Sequence, residues 1–328
     1  MKAAIIESKN INISFKNLSK PVIDTSNKAL VYMISSSINP SDVLRVKGGF
    51  GDFNFPSQFG LSGYGKVIES TNKALIGKYV GFWSTSAYSY AEYTLVDINN
   101  LIEAPYFDIK NSNELAHSSS FYLNPVTALG LFSYIIKNNY KSICINAASS
   151  QVAKFLIKLC LNSDINVIAI VKNKYYKNKL KEQTNLINII SFDEDTYKFE
   201  LSKSTHHHKV NMFIDSVGGN QLLDELALMP DYVAVMSFGR LSGEDMSKER
   251  KEELETNKYI KFLKYFKNSD FISSLSEVEK KDISKRIEKE INSTFKTDYG
   301  KTIDFDELPE YFKQYYYNNI KDKIVIKY

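Results

Sequence analysis

Residues 142–171 read SICINAASSQVAKFLIKLCLNSDINVIAIV. The apolar run Ile143-Cys144-Ile145 gives way to a short polar and small-residue stretch, after which Val152, Phe155, Leu156, Leu159 and Cys160 recur at the spacing of one helical face. Asn166–Val171 follows as a second apolar run. Strand, helix and strand in that order imply a parallel pair joined by a crossover. The rhythm continues through Ile187–Ile190, Val210–Asp215 and Tyr232–Met236, with helical stretches between them. This alternation predicts an α/β chain with a doubly wound parallel sheet, and right-handed crossovers place its ligand site at the carboxyl ends of the strands.

Upstream the pattern is different. Ile11, Ile13 and Phe15 alternate with polar residues, Ala29–Ile34 is apolar, and strand-like pieces follow at Lys66–Glu69, Tyr79–Phe82 and Tyr90–Val96, separated by glycines and polar turns. A barrel or sandwich is expected there. Downstream, Arg240–Asn257 reads as a polar loop and Lys258–Phe262 as a last strand of the parallel sheet. Ile283, Ile287, Ile291 and Phe295 mark an amphipathic helix, Leu308–Tyr317 another, and Lys323–Lys327 a closing strand.

Composition narrows the function classes. The 328 residues are enough for two domains. With 43% hydrophobic and 24% charged residues the chain has ordinary globular composition, and a net charge of +4 with interspersed signs gives no basic stripe for nucleic acid. No apolar run reaches the roughly 20 residues of a membrane span. The start Met1-Lys2-Ala3-Ala4-Ile5-Ile6-Glu7 is charged too soon for a signal peptide. Cys144 and Cys160 cannot build a disulfide framework, so a cytoplasmic location is expected.

Five stretches could carry chemistry. Asn39-Pro40-Ser41-Asp42 and Asn124-Pro125-Val126-Thr127 share the grammar of a helix start, with asparagine as cap and proline in the first turn. Asn146 to Ala153 links the first parallel strand to its helix, where small residues let backbone N–H groups approach a pyrophosphate, although a tight turn would use the same residues. Asp215-Ser216-Val217-Gly218-Gly219 ends another strand at the same edge. The second parallel strand ends in Val171-Lys172-Asn173-Lys174. A dinucleotide fold places an acid there for a ribose hydroxyl or a base for a 2′-phosphate, so Lys172 favours NADPH over NADH. His206-His207-His208 reads as an exposed turn rather than a metal site.

Together these segments resemble the zinc-independent branch of the medium-chain dehydrogenase/reductases, the group of quinone oxidoreductases and enoyl-thioester reductases. The resemblance is carried by Met1-Lys2-Ala3-Ala4, Ile38-Asn39-Pro40-Ser41-Asp42, Gly77-Lys78-Tyr79-Val80, Tyr90-Ala91-Glu92-Tyr93, Asn124–Ala128, Asp215–Gly219 and Lys323-Ile324-Val325-Ile326, in order along nearly the whole chain. It implies a GroES-like β-barrel substrate domain from residues 1–121 and 268–328 around a Rossmann domain at 122–267. It also implies NADPH as cofactor, a quinone or conjugated enone as hydride acceptor, and a homodimer formed through the last strand of the parallel sheet. Asn39, Asp42 and Phe50 match the substrate side. Asn124 and Thr127 match the segment that meets the nicotinamide, Ala148, Ser149, Ser150, Gln151 and Val152 the pyrophosphate loop, Lys172 the 2′-phosphate contact, and Val217, Gly218 and Phe238 the remaining cofactor wall.

Zinc ligands have no place in this scheme. Where zinc-dependent cousins carry a ligand cysteine this chain has Asn39, and where they carry glycine-histidine-glutamate it has Gly60-Leu61-Ser62. Ser150 and Ala153 stand where relatives usually have glycine, and Phe50 where enoyl-thioester reductases carry a proton-donating tyrosine. These departures keep two alternatives open: a reductase fold that has become a binding or structural protein, and an enoyl-thioester reductase with another donor.

Overall fold

The structure, a computed structural model, describes residues 1–257, 259–319 and 322–328. It divides into two compact units, one made of Met1–Val126 with Asn268–Tyr328 and the other of Thr127–Lys267.

In the second unit, the described residues form a six-stranded sheet in the spatial order Ile189–Ser191, Asn166–Val171, Ser142–Ile145, Met212–Asp215, Ala234–Ser237, Lys261–Phe262, every pair parallel. Strands covered on both faces must be apolar on both, and Ile143, Cys144, Ile145, Val167, Ile168, Ala169 and Ile170 are all buried. The helices Gln151–Leu161, Lys174–Thr184, Tyr197–His207 and Gly219–Ala227 supply the crossovers. Numbered along the chain the strand order is 3-2-1-4-5-6, so the connections leave Ser142–Ile145 and Met212–Asp215 in opposite senses. The loops after those two strands therefore part from one another and leave a crevice.

The first unit is organised around Lys28–Ile38. This strand pairs antiparallel with Ser62–Ser70, Tyr93–Asp97 and Ile324–Lys327, which brings the chain's end into the middle of the sheet. The register sets Ile38 opposite Ile324, so Asn39 and Lys323 lie side by side just beyond the paired segment. Tyr79–Trp83 and Leu101–Ala104 extend the sheet, and Lys2–Ser8 pairs with Asn12–Asn17 and Ser57–Gln58 in a smaller one. Phe59, Tyr90 and Phe312 meet edge to face in one core, while Val31, Met33, Val67, Val80 and Phe82 fill a second. No described helix is long and apolar enough to cross a membrane.

Three local expectations are corrected. The polar stretch after Gly239 is not wholly loop, because Lys248–Asn257 is a helix. Its KERKEELETN sequence is rich in helix formers but has no apolar stripe, so periodicity could not reveal it. His206 and His207 close the helix Tyr197–His207 rather than forming a turn; the buried stripe Tyr197, Leu201, Thr205 carries the helix to that point. Asn124 is not a cap: the second helix of this region runs Leu123–Lys137, and Val126 N–H already donates to the Tyr122 carbonyl at 3.0 Å. The helix Ser112–Ser120 delivers the chain nearly helical through Phe121, so Pro125 falls in a first turn where no N–H is needed. The expected last parallel strand begins at Lys258, which lies outside the described residues; Lys261–Phe262 is paired.

Candidate functional site in two parts

In the parallel-sheet unit the crevice is built by the residues after Ile145 and after Ile214. Ala147 takes a left-handed conformation, φ +43°, and Ser150 N–H closes the turn onto the Ala147 carbonyl at 2.9 Å. That backbone shape costs a non-glycine residue roughly 1–2 kcal/mol, so the loop is held in a form that glycine would adopt freely. Ala148 is buried and its N–H donates to Ile170 at 3.0 Å, tying the loop to the second strand. Ser150 caps the helix Gln151–Leu161, its Oγ accepting from Ala153 N–H at 3.3 Å. Ser150 thus turns back on its own helix. Gln151 and Val152 form the helix's first turn beside it, with Ser149 half-buried before the cap.

Across the crevice, Gly218 sits at φ +71° and Gly219 at φ +64°, conformations that favour glycine. Gly239 permits a close approach, since a Cβ there would lie 2.7 Å from the Ser216 carbonyl. The loops carrying Val217 and Phe238 are stitched together by Phe238 N–H to Asp215 at 2.8 Å and Ser242 N–H to Val217 at 3.0 Å. A helix N-terminus facing a glycine-bearing loop at a topological switch is an arrangement that fits a dinucleotide pyrophosphate. Lys172 follows the second strand and is exposed, whereas the neighbouring Lys177 is engaged by both carboxylate oxygens of Glu194 at 3.1 Å.

Beneath these loops lies a network that sequence reading missed. Asn146 is fully buried; its Nδ2 donates to Asp215 Oδ1 at 2.7 Å and to Glu225 Oε2 at 2.9 Å, while its Oδ1 accepts from Ser216 N–H at 2.8 Å. Asp215 Oδ1 also accepts the N–H groups of Val217 and Gly218, both at 3.0 Å, and its Oδ2 accepts from Ser237 Oγ at 2.8 Å. Glu225, 0% exposed, further accepts from Tyr197 Oη at 3.2 Å and Gln221 Nε2 at 2.9 Å. Burial pushes its carboxyl up to about 7 against the pull of those donors, with Asp215 adding to the rise. The available signal was an acid inside the apolar series Leu222, Leu226, Met229, a series that belongs to the buried side of its helix. Arg240, whose Cα lies 3.9 Å from where a Gly218 Cβ would stand and whose guanidinium pairs with Asp245 at 2.5 Å, had no motif to announce it.

In the antiparallel unit, Asn39 precedes the helix Pro40–Val46, as the capping grammar predicts. Asp42 is 1% exposed; its Oδ2 accepts from Asn39 N–H at 2.8 Å and its Oδ1 from Leu61 N–H at 3.0 Å. Burial outweighs these hydrogen bonds and lifts its carboxyl to about 6. Asp42 therefore acts on the backbone, binding the helix start to the neighbouring strand. Asn39 Nδ2 donates to the Ser37 carbonyl at 3.1 Å and to Ser62 Oγ at 3.2 Å, and its Oδ1 accepts from Lys323 Nζ at 3.2 Å. Asn39 and Ser62 are thus hydrogen-bonded to one another. Lys323 was legible only as part of a last strand.

Phe50 is 37% exposed on a turn held by Arg45, which donates to the Gly51 and Asp52 carbonyls at 3.0 and 3.1 Å. Its ring meets Trp83 edge-on, with centroids 6.0 Å apart. The chain's single tryptophan is thus a direct reporter of this wall. Of three phenols near it in sequence two are committed, Tyr64 Oη donating to the Pro105 carbonyl at 2.8 Å and Tyr90 Oη to the Ser37 carbonyl at 3.2 Å, while Tyr88 is 39% exposed. Asn124 and Thr127, three apart on the helix Leu123–Lys137, are both buried on one face.

The chain has the fold of solved quinone oxidoreductases and enoyl reductases. Over the whole chain the structure resembles a quinone oxidoreductase of Escherichia coli solved with NADPH, with a TM-score of 0.81, 15% identity and full coverage of both chains. It also resembles a putative NADPH:quinone reductase of Mesorhizobium loti, with a TM-score of 0.82, 18% identity and coverage of 100% of this chain and 98% of the other. Among curated proteins it is similar to the mitochondrial enoyl-[acyl-carrier-protein] reductase of Caenorhabditis elegans, at 24% identity over 239 residues covering 70% of this chain and 67% of that protein. The corresponding Arabidopsis thaliana enzyme is 23% identical over 230 residues, 68% of this chain and 60% of its own length. No family profile matches the chain.

Proposed function

We propose that the chain is an NADPH-dependent oxidoreductase that passes hydride to a quinone or conjugated enone. The observation that carries this reading is the topological switch between Ser142–Ile145 and Met212–Asp215, with a helix N-terminus after the one, Gly218 after the other, and an exposed Lys172 following the adjacent strand Asn166–Val171. Bound NADPH would supply the hydride. The chain's own part is to seat the pyrophosphate on the first turn at Gln151 and Val152 and the 2′-phosphate on Lys172, with Asn124 and Thr127 on the nicotinamide side. Reduced quinone oxygens can take their protons from water, so a wall bearing Phe50 costs that acceptor least. Likeness to NADPH-bound and quinone-reducing proteins supports the reading. The similarity to enoyl-[acyl-carrier-protein] reductases favours enoyl thioesters as a second acceptor class.

Calorimetric titration is the test. NADPH should bind at least about tenfold more tightly than NADH, because a charge-assisted hydrogen bond to the extra phosphate contributes roughly 1.5–3 kcal/mol. Lys172→Ala should remove most of that preference. Equal affinity of the wild type for both cofactors would assign Lys172 to the surface, and no affinity for either would replace the enzyme reading by a binding or structural role.

We also propose a homodimer. Lys261–Phe262 is a two-residue edge strand, and the unpaired side of such a strand can pair with a second copy. Light scattering at micromolar concentration should give twice the 37.5 kDa chain mass; a monomeric mass would end the proposal.

A further inference from the structure

Two carboxylates, Asp215 and Glu225, are completely buried and share one amide, with Asn146 Nδ2 donating to both. Around Glu225 stand Asn146 and Cys144 from the first-strand side, Asp215 from the fourth strand, Tyr197 from the helix Tyr197–His207, and Gln221 with Asp224 from its own helix. The acidic and thiol groups of this set can add only negative charge. Asp215 receives hydrogen bonds from four donors, three of them at Oδ1. Glu225 differs. Of its three partners, Asn146 and Gln221 present N–H groups, but the Tyr197 hydroxyl can reverse its role and accept a proton's hydrogen bond.

The network is also the floor of the crevice. Asn146 Oδ1 holds the Ser216 N–H, and Asp215 holds the N–H groups of Val217 and Gly218, so the same side chains that feel Glu225's charge set the backbone of the loop after the fourth strand. Asn146 is itself the first residue of the loop after the first strand. We propose that Glu225 is a positioning residue for both crossover loops, and that its gain or loss of a proton alters their geometry and with it the affinity for an anionic dinucleotide. The ligand part of this inference rests on the cofactor reading above. Loss of the proton places a second negative charge on Asn146 beneath loops meant to receive a pyrophosphate, so affinity falls as pH rises through neutrality.

The experiment compares wild type, Glu225→Gln and Tyr197→Phe at pH 6 and pH 8. Hydrogen exchange is measured without ligand on peptides covering residues 145–153 and 214–219, corrected for the intrinsic rate. NADP+ affinity is measured by calorimetry on the same samples. In the wild type the protection of both loops should differ between pH 6 and pH 8, and NADP+ should bind at least about fivefold more weakly at pH 8 than at pH 6 when each value is divided by that of Glu225→Gln, the lower end of coupling between linked sites. Glutamine mimics the protonated acid and should flatten the exchange profile. Tyr197→Phe removes a hydrogen bond that favours the carboxylate and should move the midpoint to higher pH. Identical exchange profiles in the wild type and Glu225→Gln overturn the proposal whether or not ligand binds; if Glu225→Gln does not fold, an unmoved midpoint in Tyr197→Phe overturns it. Exchange that follows pH while NADP+ fails to bind at either pH overturns the cofactor reading alone.

Discussion

Phe50→Tyr should raise the reduction of an enoyl thioester by about 10²-fold while leaving quinone reduction nearly unchanged. Hydride added to one carbon of a conjugated thioester must be matched by a proton at its neighbour, and a positioned acid contributes typically 10²–10⁴-fold. In the wild type the ring at this position is a hydrocarbon packed edge-on against Trp83, and the phenols of Tyr64 and Tyr90 are already donating to backbone carbonyls. The substitution adds one hydroxyl to a partly exposed ring on a turn that Arg45 holds, so the fold should tolerate it. Steady-state rates with one quinone and one enoyl thioester, both driven by NADPH, make the comparison, and Trp83 fluorescence reports whether the acceptor reaches this wall. Rapid enoyl reduction by the wild type would mean that another donor serves, and the similarity to enoyl-[acyl-carrier-protein] reductases would then carry the greater weight.

The second large effect is expected at Asp42. Its carboxyl is lifted from 3.8 to about 6 by burial, so the native state keeps a proton that the unfolded chain has already lost. Below about pH 4 both states are protonated and the group contributes no pH dependence. Between about pH 4 and 6 stability falls as pH rises, by roughly 3 kcal/mol at 1.36 kcal/mol per unit, and above that it levels off. Asp42→Ala removes this dependence but also strands the Asn39 and Leu61 N–H groups, each worth about 1–3 kcal/mol when buried without a partner. The variant should therefore be destabilised by about 4 kcal/mol near pH 4.5 and by clearly less at pH 8. Urea unfolding followed by Trp83, which lies in the same unit, reads this directly. An equal loss at both pH values would show that the carboxyl does not titrate in that window.

Much of the architecture was legible because local chemistry and tertiary environment agree. Val167–Val171 is apolar throughout and could only be covered on both faces, and the small residues after Ile145 had to turn. At Asn39-Pro40 a helix starts on proline's fixed φ and on Asn39 N–H donating to the Asp42 carboxylate. The same reasoning failed at Asn124-Pro125, since an incoming helix had already set the backbone, and at Lys248–Asn257, which has propensity but no stripe.

The candidate site divides in the same manner. The order of strand and helix, the glycines at 218 and 219, the basic end of the second strand and Phe50 in place of a phenol are all properties of the chain read along its length, so the sequence alone determined the fold class, the kind of cofactor to propose and the missing donor. Only the tertiary structure decided that Asp42 serves two backbone amides, that Phe50 rests on Trp83 33 residues away, that Lys323 reaches Asn39 from the other end of the chain, and that Glu225 shares Asn146 with Asp215. The reason is physical: a local pattern records the period of burial and the conformations a residue can adopt, whereas the partner of a buried charge, and hence its protonation, is set by whichever distant group folding brings to it.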